Sequence, residues 1–150
     1  VLGSQPQEEF IVIGDGELFE PHRQLIEQVG IQSHFHLLGP RADVTQILPC
    51  LDLFASSSLW EGLPTVIMES MACGAPVVAT DIPGTRDLVQ PGQNGWLCPA
   101  GNSTALAETL LAARAAPELC ETYAAAARQT VRRYSITAVA AEYARLYLEP

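Results

Sequence analysis

Five short apolar runs, each closed by glycine, proline or small polar residues, recur along the first hundred residues and alternate with stretches of helical spacing. Phe10-Ile11-Val12-Ile13 ends at Gly14-Asp15-Gly16, and His34 to Leu38 ends at Gly39-Pro40. Leu53-Phe54-Ala55 ends in Ser56-Ser57-Ser58, Pro76 to Thr80 ends at Asp81, and Gly95 to Cys98 is the fifth run. Continuous apolar runs of this length predict parallel strands buried on both faces. Helices are predicted between them at Glu17 to Val29, Asp43 to Leu51, Pro64 to Cys73 and Gly84 to Val89. Asp43 is the predicted cap of the second, and Pro64 its counterpart at the first position of the third. Strands alternating with helices make an α/β fold: a Rossmann-like parallel sheet with flanking helices and right-handed crossovers.

From Ser103 onward alanine dominates. Helices are predicted at Ser103 to Ala115, Pro117 to Tyr134 and Thr137 to Leu148, with Ser103 and Ser135 as caps. The apolar stripe of the last helix (Ala138, Ala141, Tyr143, Ala144, Tyr147, Leu148) is expected to pack on the sheet layer. The α/β core thus covers about 9–100 and a helical segment about 103–148, while Val1 to Gln7 reads as the end of one element followed by a loop.

Composition narrows the function. The net charge is −9, and all eight basic residues are arginine. Such a chain has no basic cluster with which to hold nucleic acid or an anionic membrane surface. No apolar run has the length of a membrane helix. The four cysteines form no CxxC pair, so the spacing argues against a zinc ribbon or redox motif, and reduced buried thiols are expected.

In an open parallel sheet, ligands bind beyond the carboxyl ends of the strands. The segment Trp60 to Glu69 stands at one such end. Gly62 and Pro64 set a tight turn before a helix, so the N–H groups near Thr65 and Val66 and that of Gly62 face open space. Backbone donors and the helix dipole together attract phosphate at such a place. A short-range site of this kind works in an acidic chain because the long-range field is screened. Glu61 and Glu69, with seven residues between them, bracket the turn. Carboxylates beside a phosphate site need neutral donors, and the hydroxyls of a sugar or ribose supply charge-assisted hydrogen bonds. The competing reading has Glu61 capping the helix and Glu69 as a solvated surface group. His34 and His36 alternate on one strand face, where metal ligation competes with ordinary strand roles. Trp96 is expected to pack; Trp60 is open between packing and stacking on a ligand. Asp15 and Asp81 at strand ends suggest a receiver-type acidic pocket, but the chain has no lysine to complete one.

The stretch from Ser58 to Thr80 carries the frame S-x-x-E-G-x-P-x-x-x-x-E-x-M-A-x-G-x-P-V-V-A-T. It resembles the signature of retaining glycosyltransferases of the glycosyl transferases group 1 (family 4) type. Gly14-Asp15-Gly16, Leu37-Leu38-Gly39 and Asn94-Gly95-Trp96-Leu97 resemble further motifs of that family, in the same order. The resemblance implies the C-terminal, donor-binding half of a GT-B fold, with no bound metal and no cofactor besides the nucleoside diphosphate sugar. Glu61 would contact the donor sugar as the catalytic carboxylate, and Glu69 would hold the ribose. Gly62, Leu63, Pro64 and Thr65 would lie beside the diphosphate and sugar. Leu38 to Arg41 would flank the base, and Gly14 and Gly16 would line the pocket.

Three departures from the family pattern stand out. The family's first strand–helix unit, with its arginine–lysine clamp on the diphosphate, would precede residue 1. The family's N-terminal domain, which would bind a glycan, lipid or small-molecule acceptor, is likewise expected to lie outside these 150 residues. The family's G-G-x-x-E turn reads Pro83-Gly84-Thr85-Arg86-Asp87. The expectation is therefore a half-site, inactive alone, whose sheet lacks a central strand between its first and third. The intact enzyme would be cytoplasmic or peripheral at the inner face of the membrane. A nucleotide-sugar 2-epimerase of the same fold is the nearest alternative. A non-catalytic α/β nucleotide-binding module is the other, although G-x-G-x-x-G is absent.

Overall fold

A computed structural model of the chain describes residues 8–148. The reading of Val1 to Gln7 lies outside them. The elements run β1 (Phe10–Val12), α1 (Phe19–Gln28), β2 (Phe35–Leu37), α2 (Val44–Ile47), β3 (Phe54–Ser56), α3 (Thr65–Cys73), β4 (Val77–Thr80), α4 (Pro83–Arg86), β5 (Trp96–Cys98), α5 (Ser103–Arg114), α6 (Pro117–Val131) and α7 (Ile136–Leu148). Short 3-10 turns, Leu48–Cys50 and Arg132–Tyr134, follow α2 and α6. All strand pairs are parallel, as the α/β pattern requires. The chain divides into two compact units, one ending at Val44 and one beginning at Thr45.

In the first unit β1 pairs with β2, Phe10 opposite Phe35 and Val12 opposite Leu37. Phe10 and Phe35 stack with ring centroids 5.5 Å apart. The expected burial on both faces is corrected here. No residue of β1 or β2 is fully buried, and Val12 is exposed, because each strand has only one paired neighbour among the described residues. Glu9, just before β1, accepts from His34 Nδ1 (3.1 Å) and His36 Nε2 (2.6 Å). The two histidines do share a face, but a carboxylate clasps them. No group of three or more His, Cys, Asp or Glu residues among the described residues is arranged to hold a metal ion. The two histidine bonds hold the Glu9 carboxyl below its usual value of 4.5. A depressed carboxylate contributes stability that is complete above the unfolded value and is lost as pH falls through the folded one. Thermal melts of the chain and of Glu9→Gln should therefore converge as pH falls through and below the usual carboxyl value of 4.5. A gap that stays constant as the carboxyl is protonated contradicts the clasp.

In the second unit the order is β3-β4-β5, with Phe54 opposite Val77 and Val78 opposite Trp96. β4 is central and fully buried along Val77–Thr80. Ile67 and Met71, one turn apart on α3, are fully buried and join Val77, Ala79, Leu88, Val89, Ala127 and Val131 in the core. Burying side chains of this size contributes about 1.5–3 kcal/mol each, and this anchors α3 under the candidate site. Gly74 ends α3 at φ +83°. The Arg128 guanidinium occupies the space a Cβ would need there, and its Nη2 donates to the Cys73 carbonyl (3.3 Å). Glycine is thus required for the left-handed turn, and the space it leaves is filled by the Arg128 side chain from α6. Asn94 is buried and ties the chain before β5, accepting from Gln90 N–H and donating to the Leu88 carbonyl and Thr130 Oγ1. At Gly95 a Cβ would meet the Val77 carbonyl at 2.9 Å. The Asn-Gly pair is therefore structural.

Several local expectations are corrected. Asn102, not Ser103, caps α5, accepting from Ala105 N–H (3.0 Å). Ser135 does cap α7, through Ala138 N–H. The predicted helix from Asp43 is only the short α2 followed by a 3-10 turn at Pro49, which has no N–H to continue an α-helix. α7 does not pack on the sheet layer: none of its residues is buried, and Tyr143, Tyr147 and Leu148 are exposed. Trp96 packs as expected, 4.6 Å from the Tyr123 ring. The four cysteines are free, but only Cys98 is buried, and Cys50 is exposed. Desolvation pushes the Cys98 thiol up, which suits a packing role. Among the described residues no helix is long and apolar enough to cross a membrane.

Candidate functional site

The turn before α3 is open. Trp60 is 83% exposed and Leu63 52%, while Gly62 and Thr65 are also exposed. The packing reading of Trp60 is thereby removed. Pro64 is buried and stands at the N-cap, not at the first helical position, with extended ψ 92°. Its carbonyl accepts from Ile67 N–H (3.1 Å) and Met68 N–H (3.3 Å). The amides of Thr65 and Val66 have no acceptor among the described residues, and no side chain caps the helix. α3 therefore presents two unsatisfied donors at its positive end, as the turn chemistry predicts.

Glu61 does not cap α3. It is half-buried, and its Oε1 accepts from Ser58 Oγ (2.8 Å). Ser58 is itself held, because Thr80 Oγ1 in β4 donates to its carbonyl (2.5 Å). Below the turn lies Gly84 of α4, which is buried. A Cβ at Gly84 would stand 2.5 Å from the Gly62 carbonyl oxygen and 2.6 Å from that of Glu61. Only glycine lets α4 support the turn this closely. Asp81, at the end of β4, pairs with Arg86, whose guanidinium holds the carboxyl below its usual range. Glu69 lies a little over one turn inside α3. It is exposed on an open pocket of about 570 Å³, together with Thr65, Met68, Arg128, Arg132 and Tyr134. The site's second acid is thus exposed and has no ion pair among the described residues.

Within the first unit, Gly14 and Gly16 have φ +128° and +150°, with nothing within 4 Å of where a Cβ would be. Gly14 N–H donates to the Gly39 carbonyl (2.9 Å), which links the two strand-end turns. Leu38 is exposed. Arg41 is bound in a fork by Asp43, at 2.8 and 2.5 Å, so it is not a free cation.

The model of the Glycosyl transferases group 1 family matches residues 2–130. The chain belongs to this family. Among curated relatives, phosphatidyl-myo-inositol mannosyltransferase of Mycobacterium leprae is 34% identical over 143 residues, covering 93% of this chain and 37% of that protein. N-acetyl-alpha-D-glucosaminyl L-malate synthase of Bacillus anthracis is 28% identical over 140 residues, with coverages of 93% and 37%. The crystal structure of HepE from Anabaena with UDP has a TM-score of 0.90 to this chain at 30% identity, covering 97% of this chain and 42% of that one. Its complex with UDP-glucose gives 0.88 at 31%, with the same coverages. The chain spans a little over a third of the length of the curated relatives it matches. The group 1 match also agrees with the α/β architecture and with the Ser58–Thr80 signature.

Two residues of the site escaped the sequence reading. In the sequence Ser58 stands only as a strand-end serine and as the first residue of the Ser58–Thr80 frame, although a hydroxyl three positions before a carboxylate is within local reach of it. Gly84 was visible only as half of an altered Gly-Gly pair. Its contact partner is more than twenty positions away, so local pattern carries no sign of it.

Proposed function

We propose that this chain is the donor-binding part of a retaining glycosyltransferase. The enzyme would move a sugar from a nucleoside diphosphate to an acceptor hydroxyl on a glycan, lipid or small molecule. The observation that carries the reading is the open Glu61–Pro64 turn feeding the unsatisfied amides of Thr65 and Val66, with one carboxylate on either side. HepE binding UDP and UDP-glucose supports it.

As the bond from the anomeric carbon to the diphosphate breaks, negative charge grows on the leaving group. The helix-start amides and the α3 dipole stabilise that charge. Glu61 accepts a hydroxyl of the donor sugar and orients it, so that the acceptor attacks from the leaving-group face and the anomeric configuration is kept. A nucleophilic role for Glu61 is not assigned, because a double displacement needs two carboxylates about 5 Å apart across the bond. Glu69 accepts ribose hydroxyls. Gly62, Leu63, Pro64 and Thr65 shape the diphosphate contact. In the first unit, Leu38 and Arg41 take the base and Gly14 and Gly16 leave space for the donor. These 150 residues alone should bind donor without transferring it, because the arginine–lysine pair that the family implies is not among them.

Product analysis tests the class. A glycoside with the donor's anomeric configuration supports the reading, and an inverted product contradicts it. An epimerised donor favours the epimerase, and NAD binding without sugar-nucleotide binding favours the plain binding module. For the ribose contact, Glu69→Ala should weaken UDP binding about tenfold by calorimetry, the scale of one lost charge-assisted hydrogen bond. Unchanged UDP affinity rejects that role.

A further inference from the structure

We propose that Ser58 is the positioning residue for Glu61, anchored in turn by Thr80; this rests on the reading of Glu61 as the contact to the donor sugar. A glutamate on an exposed turn ordinarily samples several rotamers, and each must be frozen out when a sugar binds. Here the Ser58 hydroxyl donates to Oε1 at 2.8 Å, and no partner is seen at Oε2 among the described residues. An ionised carboxylate only accepts, so the remaining oxygen is left to accept a hydrogen bond from a sugar hydroxyl. The anchor is grounded in the sheet. Thr80 is 3% exposed in the central strand β4, and its hydroxyl fixes the Ser58 carbonyl at 2.5 Å. The turn's own backbone rests on Gly84. The carboxylate is thus held from two directions, by its side chain through Ser58 and by its main chain through α4.

A positioning role predicts a loss in turnover that ground-state nucleotide binding does not share. In the complete transferase, Ser58→Ala should lower kcat about tenfold. Competitive inhibition by UDP and the melting temperature should stay at parent values. Ser58→Thr, which keeps the hydroxyl, should restore most of the turnover. Thr80→Val, which keeps the shape and removes the donor, should give an intermediate loss. If Glu61→Ala lowers kcat but Ser58→Ala does not, the positioning role is overturned while the Glu61 reading stands. If neither variant changes kcat, the sugar contact of Glu61 fails and the proposal fails with it. A Ser58→Ala variant that loses UDP affinity and melting temperature along with kcat marks a merely structural serine and also overturns it.

Discussion

Glu61→Ala should lower kcat of the complete transferase by about ten- to a hundredfold, with the affinity for UDP nearly unchanged. The size follows from the contact's character. One ionised acceptor bonding a sugar hydroxyl is worth about 1.5–3 kcal/mol, and the half-buried setting of Glu61 keeps water from replacing it cheaply. The selectivity follows from position. Glu61 stands before the turn, whereas the amides that would meet the diphosphate belong to Thr65 and Val66. Steady-state kinetics with UDP as competitive inhibitor separates the two effects. An equal loss in kcat and in UDP binding would place Glu61 on the nucleotide instead.

Gly84→Ala should have a comparable effect by another route. The added methyl would sit 2.5 Å from one backbone oxygen and 2.6 Å from another, and neither can rotate away. The turn must rise off α4 or α4 must shift. Overpacking of this kind costs about 1–3 kcal/mol of stability. Because the displaced atoms are the carbonyls of Glu61 and Gly62, a functional loss should accompany the loss in stability. We expect about a tenfold or larger fall in kcat together with weaker UDP binding. Gly84→Ala with parental kinetics and an unchanged melting temperature would mean that this contact does not support the turn.

The alternation of strands and helices was legible because each element carries its own local signal. Apolar runs such as Val77-Val78-Ala79 and breaks such as Gly14 or Gly74 need no knowledge of the rest of the chain. The open turn before α3 was legible for the same reason, since Gly62, Pro64 and the missing cap are neighbours in sequence. What failed depends on partners. Burial of Val12 is decided by which strands flank β1, not by the residues within it. The stripe on α7 shows that the helix has an apolar face, but it says nothing of what that face meets. The cap of α5 moved by one residue because Asn102 and Ser103 are both competent, and backbone geometry chose between them. Ser58 and Gly84 act through a side-chain bond and a backbone contact that composition does not reveal.

The central claim is that the free amides at the start of α3 receive the phosphates of a sugar nucleotide. Amide resonances of the chain, followed by NMR during titration with UDP and separately with uridine, test it most directly. Saturable shifts at Thr65 and Val66 are expected with UDP and none there with uridine. Shifts at those two amides that are the same for both ligands, or UDP binding that leaves them unmoved, would contradict it.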